Sequence, residues 1–341
     1  MKSRQPGFSL PELMISMTLG LLLLAAFFAV LQRCRDAFAA GESLAALQDN
    51  ARHALSVMVP DLEHAGFLGF ARSRLRYSRG GTVLAEGDQL RQPDRDHPVA
   101  AVAGLPSGAH DCGVNFALDL ELAVQGSNNG YATGAPAGKC IPTASAGGAR
   151  DGSDTLAVRH ASFAVSKPLA GRLQLYSRRL ESQGVAELFA DGHAPGPTDS
   201  DAEVRDVEVR RYYIANDSVD RHHWPALRVK ALTESRGAAQ FRDEEILPGV
   251  EDLQVEFGVR NPGDTEGRLS FVPPDFPDLR SHAVVAVRLW LRIRADRTEP
   301  GFFDARTLRY ADVEFTPDDQ ESRQRRLLVC HTVALRNLRP T

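Results

Sequence analysis

Three observations predict an α+β protein. A long apolar stretch near the start runs into an amphipathic helical repeat, the sequence turns β-forming after residue 153, and no helical pattern of comparable strength follows Gly69. The predicted arrangement is a long N-terminal helix, membrane-spanning in its first half and amphipathic in its second, packed on an antiparallel β-sheet domain with long loops. At 341 residues, with 43% hydrophobic and 25% charged residues, the chain can bury a substantial core. Its net charge is −4, and basic residues are scattered among acidic ones, so no nucleic-acid surface is indicated.

Each element follows from its residues. Residues 1–7 form a short basic start with Lys2 and Arg4. From Phe8 to Leu31 the only ionisable side chain is Glu12. As a helix, residues 8–31 rise about 36 Å, enough for a hydrocarbon core of about 30 Å. Pro11 falls in the first turn, where its missing N–H is harmless, while Gly20 and Gly41 weaken the helix locally. Residues 32–70 continue it. There Leu44, Leu47, Ala51, Leu55, Met58, Leu62 and Ala65 recur at three- and four-residue spacing, one apolar stripe. Pro60 is expected to kink or end the segment, and Gly66 and Gly69 to close it.

Residues 71–153 are rich in Gly, Pro, Ala, Asn and Asp and read as irregular loops with short strands. Residues 154–341 read as the β-rich globular domain. Its strands are expected at 155–159, 173–176, 204–214, 224–232, 253–259, 284–293 and 327–335. Val285, Val287, Leu289, Leu291 and Ile293 alternate with Ala286, Arg288, Trp290, Arg292 and Arg294, the sign of a half-buried strand.

A carboxylate inside an apolar helix needs a reason, because it costs about 2.5–3.5 kcal/mol at mid-bilayer and less near the interface. A secretory signal does not supply one. Ala37-Phe38-Ala39 offers a cleavage-like site, but the apolar run is too long, and Arg33, Cys34, Arg35 and Asp36 stand where a signal is small and neutral. A basic leader ending in Gly7, then Phe8, Ser9-Leu10-Pro11, Glu12 and the run Leu13 to Leu31, resembles a type IV prepilin. That resemblance implies a prepilin peptidase that cuts the Gly7–Phe8 bond and N-methylates Phe8. Glycine suits a bond the peptidase must approach closely. It also implies that Glu12 compensates the Phe8 amine of a neighbouring subunit once water and lipid are excluded, selecting axial register more than adding strength.

Asp61 to Phe67, Ser153 to Arg159, Leu247 to Val255 and Thr332 to Asn337 further resemble the PilW-type minor pilins. The implied role is a non-catalytic component that initiates type IV pilus assembly at or near the tip. The implied partners are other minor pilins, the major pilin and a tip-associated adhesin. The implied location is the inner membrane, with the domain periplasmic, before assembly and the pilus after it. A minor pseudopilin of type II secretion shares the motif and architecture, and a membrane-anchored periplasmic enzyme or binding protein is the remaining alternative.

Cys112 and Cys140 bracket 27 residues rich in Gly, Ala, Asn and Ser. In a domain outside the cytoplasm they are expected to form a disulfide worth about 3–4 kcal/mol. Cys34 and Cys330 are expected to be small buried or helix-facing residues, unpaired. No nucleophile elbow, phosphate loop, H-E-x-x-H or dinucleotide fingerprint occurs, so no enzyme chemistry, cofactor or metal is indicated. His222-His223-Trp224, read as strand, would point its imidazoles to opposite faces, and Asn261, Asp264 and Glu266 lack calcium-loop spacing.

Overall fold

The computed structural model describes residues 9–71, 75–79, 82–86, 116–131, 142, 144–179, 185–260, 268–277, 279, 283–299 and 301–338. One helix, α1 (Leu10–His64), spans 55 residues without a break. Pro60 does not end it, the second of the two outcomes expected from the sequence. Only one amide is lost so near the C-terminus, and burial of Met58 and Leu62 on either side holds the turn. The helix stops where Ala65 leaves helical geometry and Gly66 takes φ +74°, with Gly66 N–H donating to Arg159 O at 3.1 Å. That left-handed position favours glycine.

The first sheet contains nine strands: β1 (Leu75–Arg79), β2 (Thr82–Glu86), β3 (Val124–Ser127), β4 (Thr155–Val165), β5 (Ala170–Arg178), β6 (Val185–Asp191), β7 (Ala202–Ala215), β8 (Ala226–Ser235) and β9 (Ala238–Pro248). Its order is β2-β1-β6-β5-β7-β4-β3, and β8 joins β7 beyond β5 and carries β9. All pairs are antiparallel except β1 with β6. The second sheet runs β11-β10-β12-β15, from β10 (Val250–Arg260), β11 (Leu269–Val272), β12 (Ala283–Thr298) and β15 (Gln324–Ala334). Between the last two strands lies a hairpin of β13 (Leu308–Tyr310) and β14 (Val313–Phe315). The protein is α+β.

Helix and sheets share one core. Leu47, Ala51, Ala54, Met58 and Leu62 pack with Leu156 and Val158 of β4, Tyr212 and Ile214 of β7, and Val287, Leu289, Leu291 and Ile293 of β12. The predicted stripe is therefore buried from Leu47 onward apart from half-buried Leu55, with Ala54 added and Leu44 left exposed. Each fully buried Leu or Met contributes about 1.5–3 kcal/mol. A second cluster, with Phe116, Leu118, Leu120, Leu173, Leu175, Val207, Val209 and Phe241, covers the other face of the nine-stranded sheet. The first half of α1 touches neither cluster.

Candidate functional site

Leu47 is the first fully buried residue of α1. The part before it, about 37 residues, projects roughly 55 Å from the domain. Leu13, Leu21, Leu22, Phe27 and Phe28 are all more than half exposed there, on a stretch long and apolar enough to cross a membrane. So much bare apolar surface demands lipid or other helices. At its tip Ser9 caps the helix in an extended conformation, and Glu12 Oε2 accepts from Ser9 N–H at 3.0 Å and from Ser9 Oγ at 2.8 Å. The one carboxylate of the apolar run thus sits in the first turn, folded back toward the chain start. Gly7 and Phe8 lie outside the described residues.

The other half is fixed by a charge on the apolar stripe. Asp61, three residues from Met58, is buried and faces β4 and β7. Its Oδ1 and Oδ2 accept from Arg210 Nη1 at 2.9 and 3.1 Å, the Tyr212 hydroxyl donates to Oδ2, and His160 Nε2 stands 3.7 Å from Oδ1. Burial alone would raise this carboxyl. His160, Arg210 and Tyr212 together outweigh it and hold Asp61 below the ordinary carboxylate range. Sequence reading placed Asp61 in a motif without a role; the signal was an acid in phase with the buried face.

The stretches that carried the sequence resemblance meet in pairs. Asn337 Nδ2 donates to Glu63 O at 3.1 Å, tying the C-terminal motif to the helix end. Ser153 Oγ donates to Asp252 Oδ1 at 2.7 Å, while Asp154 accepts from the N–H groups of Asn129 and Val255 at 2.7 and 2.8 Å. Gly249 takes φ +84° and faces the Arg294 carbonyl, so the chain can turn from β9 into β10. Glu251 then accepts from Arg326 at 2.7 and 3.0 Å and from Arg292 at 3.2 Å, and the Tyr310 hydroxyl donates to Asp252 at 2.6 Å. Three arginines, Arg326, Arg292 and Arg294, hold Glu251 below the usual carboxylate range against the opposing effect of burial, which is the largest single influence. These motifs join the two sheets and the hairpin; their polar groups are bonded to one another.

Other candidates fall elsewhere. His222 and His223 occupy a turn before β8, not a strand, with His223 at φ +57° and Asp217 beneath both. The turn arises because Asp217 accepts the His223 N–H at 2.6 Å. Cys330 is exposed on the outer face of the second sheet, opposite Trp290, and Cys34 is exposed on the projecting helix. Neither is buried, because Cys330 takes the register of the face away from α1 and Cys34 precedes the domain. Cys112, Cys140, Asn261, Asp264 and Glu266 lie outside the described residues. Among the described residues no three His, Cys, Asp or Glu side chains converge as metal ligands. A cleft of about 230 Å³ between β5, β7 and β8 is lined by Arg172, Asp206, Glu208 and Arg210, which pair with one another or with Asp61.

The apolar first half of α1, left bare by its own domain, is continuous with a second half clamped inside it. The family described as PilW, type IV pilus-assembly protein W, matches residues 211–337, and the prokaryotic N-terminal methylation motif matches residues 2–28. No curated protein matches the chain. Among solved structures, a type IV-like pilin from Thermus thermophilus is similar over 86% of this chain and 97% of its own, at 13% identity and a TM-score of 0.34. The two family matches together support a type IV pilus pilin of the PilW type.

Proposed function

We propose that this pilin is a minor, non-catalytic subunit that initiates type IV pilus assembly and sits at or near the tip. The observation that carries the reading is α1 itself: a bare apolar half with Glu12 in its first turn, rigidly continuous with a half buried in a large head. A bulky two-sheet head crowds its neighbours at interior positions of a packed filament, which favours an end position. Prepilin peptidase acts first, on Gly7–Phe8, with N-methylation of Phe8. Before assembly the bare helix lies in inner-membrane lipid with the head in the periplasm; afterwards it packs against other minor pilins and the major pilin. A tip-associated adhesin is the outward partner.

Glu12 separates anchoring from assembly. Leu13 to Leu31 suffices to hold the chain in a bilayer without a carboxylate. Entry into a filament buries the Phe8 amine away from water, where it needs an anionic partner. A deletion strain complemented with Glu12→Ala is expected to contain cleaved, membrane-bound protein, few surface pili of normal length, and little of the variant in sheared filaments. Normal incorporation would sink the charge-pairing account, and full piliation of the deletion strain itself would sink the initiation role.

A further inference from the structure

The last strand leaves one edge of its sheet open. β15 pairs with β12 along one side, and among the described residues nothing pairs with the other. From Leu327 to Ala334 this edge carries no Pro and no ionisable group except His331 and Cys330. An edge of that kind is a template for another strand, and proteins ordinarily blunt it with charge, proline or shortness. The other long edge, β9, is blunted in this way by Arg242-Asp243-Glu244-Glu245 and Pro248. The remaining edges, β2, β3 and β11 and the hairpin strands β13 and β14, run five, four, four, three and three residues. β15 alone among these is both long and unguarded.

Its surroundings define what it accepts. Register places Leu328, Cys330 and Thr332 on the outer face beside Arg292, Trp290 and Arg288. Cys330 and Thr332 are exposed, Trp290 is half-buried, and Arg288 stacks on Phe271 at 3.5 Å. That face gives an added strand an apolar ledge for alternate side chains. Residues 324–337 contain no Asp or Glu, and exposed Arg323 and Arg336 stand at the two ends without an ion pair to a described residue. A second copy fits poorly, since antiparallel self-pairing centred on Leu327–Ala334 sets Arg325, already paired with Glu299 at 2.8 Å, opposite Arg336 of the other chain and brings that arginine no carboxylate.

We propose that the open edge of β15 binds an extended segment of another protein, apolar at alternate positions and carrying carboxylates at both ends. Backbone hydrogen bonds hold such a segment, the Trp290 ledge selects its side chains, and the end charges fix its register. The proposal stands on the sheet and does not depend on the pilin reading.

Cys330, in mid-strand, supplies the reporter. Cross-strand neighbours lie about 4.5–5.5 Å apart, a span a disulfide bridges. Full-length Cys34→Ser protein in detergent is equilibrated, in a thiol–disulfide buffer, with two alternating Val/Thr peptides that each hold one central Cys. One peptide ends in paired Glu, the other in paired Lys. The Glu-ended peptide is expected on Cys330 about tenfold more than the Lys-ended one, a difference of about 1.4 kcal/mol, with slowed amide exchange along Leu327–Ala334. Thr332→Asp, on the exposed face, should keep the thermal midpoint and abolish that preference. Equal capture of both peptides without amide protection would overturn the proposal. A Cys330–Cys330 dimer forming in the absence of peptide would overturn it too, by making the occupant a second copy.

Discussion

Asp61 and Glu12 are two carboxylates on one helix with opposite surroundings. Asp61 is enclosed by Arg210, Tyr212 and His160, so its loss strands the Tyr212 hydroxyl inside the head and leaves Arg210 with Glu208 alone. Breaking a fully buried pair costs about 3–5 kcal/mol, and because the Arg210 side chain is 32% exposed the expected loss for Asp61→Ala is about 2–3 kcal/mol. Urea unfolding should show this as a lower midpoint at unchanged slope. The pH dependence has a definite sign. A carboxyl held below its unfolded value of about 3.9 stabilises fully above that value and loses the contribution as pH falls through the folded value. The wild-type head should therefore weaken below about pH 4, and the Asp61→Ala head should lose less across that window. Glu12 was legible because a lone acid in an apolar run has few reasons to exist. Asp61 was not, because its three partners come from two strands about 100–150 residues away.

At the scale of elements, α1 was readable up to Pro60, including the phase of its buried face, since composition and periodicity are local properties. Its continuity through Pro60 depended on packing that no local pattern carries. Strands β4, β5, β7, β8, β10, β12 and β15 stood out as runs of β-formers. β9 did not: four consecutive charged residues interrupt its β-formers, yet Phe241 and Leu247 are buried from it. The leader and helix make one prediction together. Mature protein should begin at N-methylated Phe8, and Gly7→Leu should leave uncleaved precursor in the membrane, because a side chain blocks the peptidase's approach to the backbone. Intact-mass analysis that finds Met1 or a residue near Ala40 at the mature N-terminus of the wild type would overturn the assignment.

For the whole molecule, the two sheets and the helix form one unit because the helix stripe lies in the core they share. That assembly was beyond the sequence, which supports a sheet but does not say that the strands divide into two. The cysteines test the expected compartment at this same scale. Peptide mapping without reductant is expected to join Cys112 to Cys140 and to leave Cys34 and Cys330 as thiols. A free Cys112, or its linkage to Cys330, would contradict a disulfide-closed loop in an oxidising compartment.

The uninterrupted helix has a mechanical consequence. Its 55 residues make a strut about 80 Å long, gripped by the head only along its final third. A pull along the strut loads that grip in shear, with the buried stripe from Leu47 to Leu62 and the Asp61 clamp sharing the force. Gly20 and Gly41 weaken the helix locally and no other part of the protein packs on them, so the free part yields first at those points. Tension applied to the N-terminal end is thus absorbed by helix that carries no tertiary structure before it reaches the head.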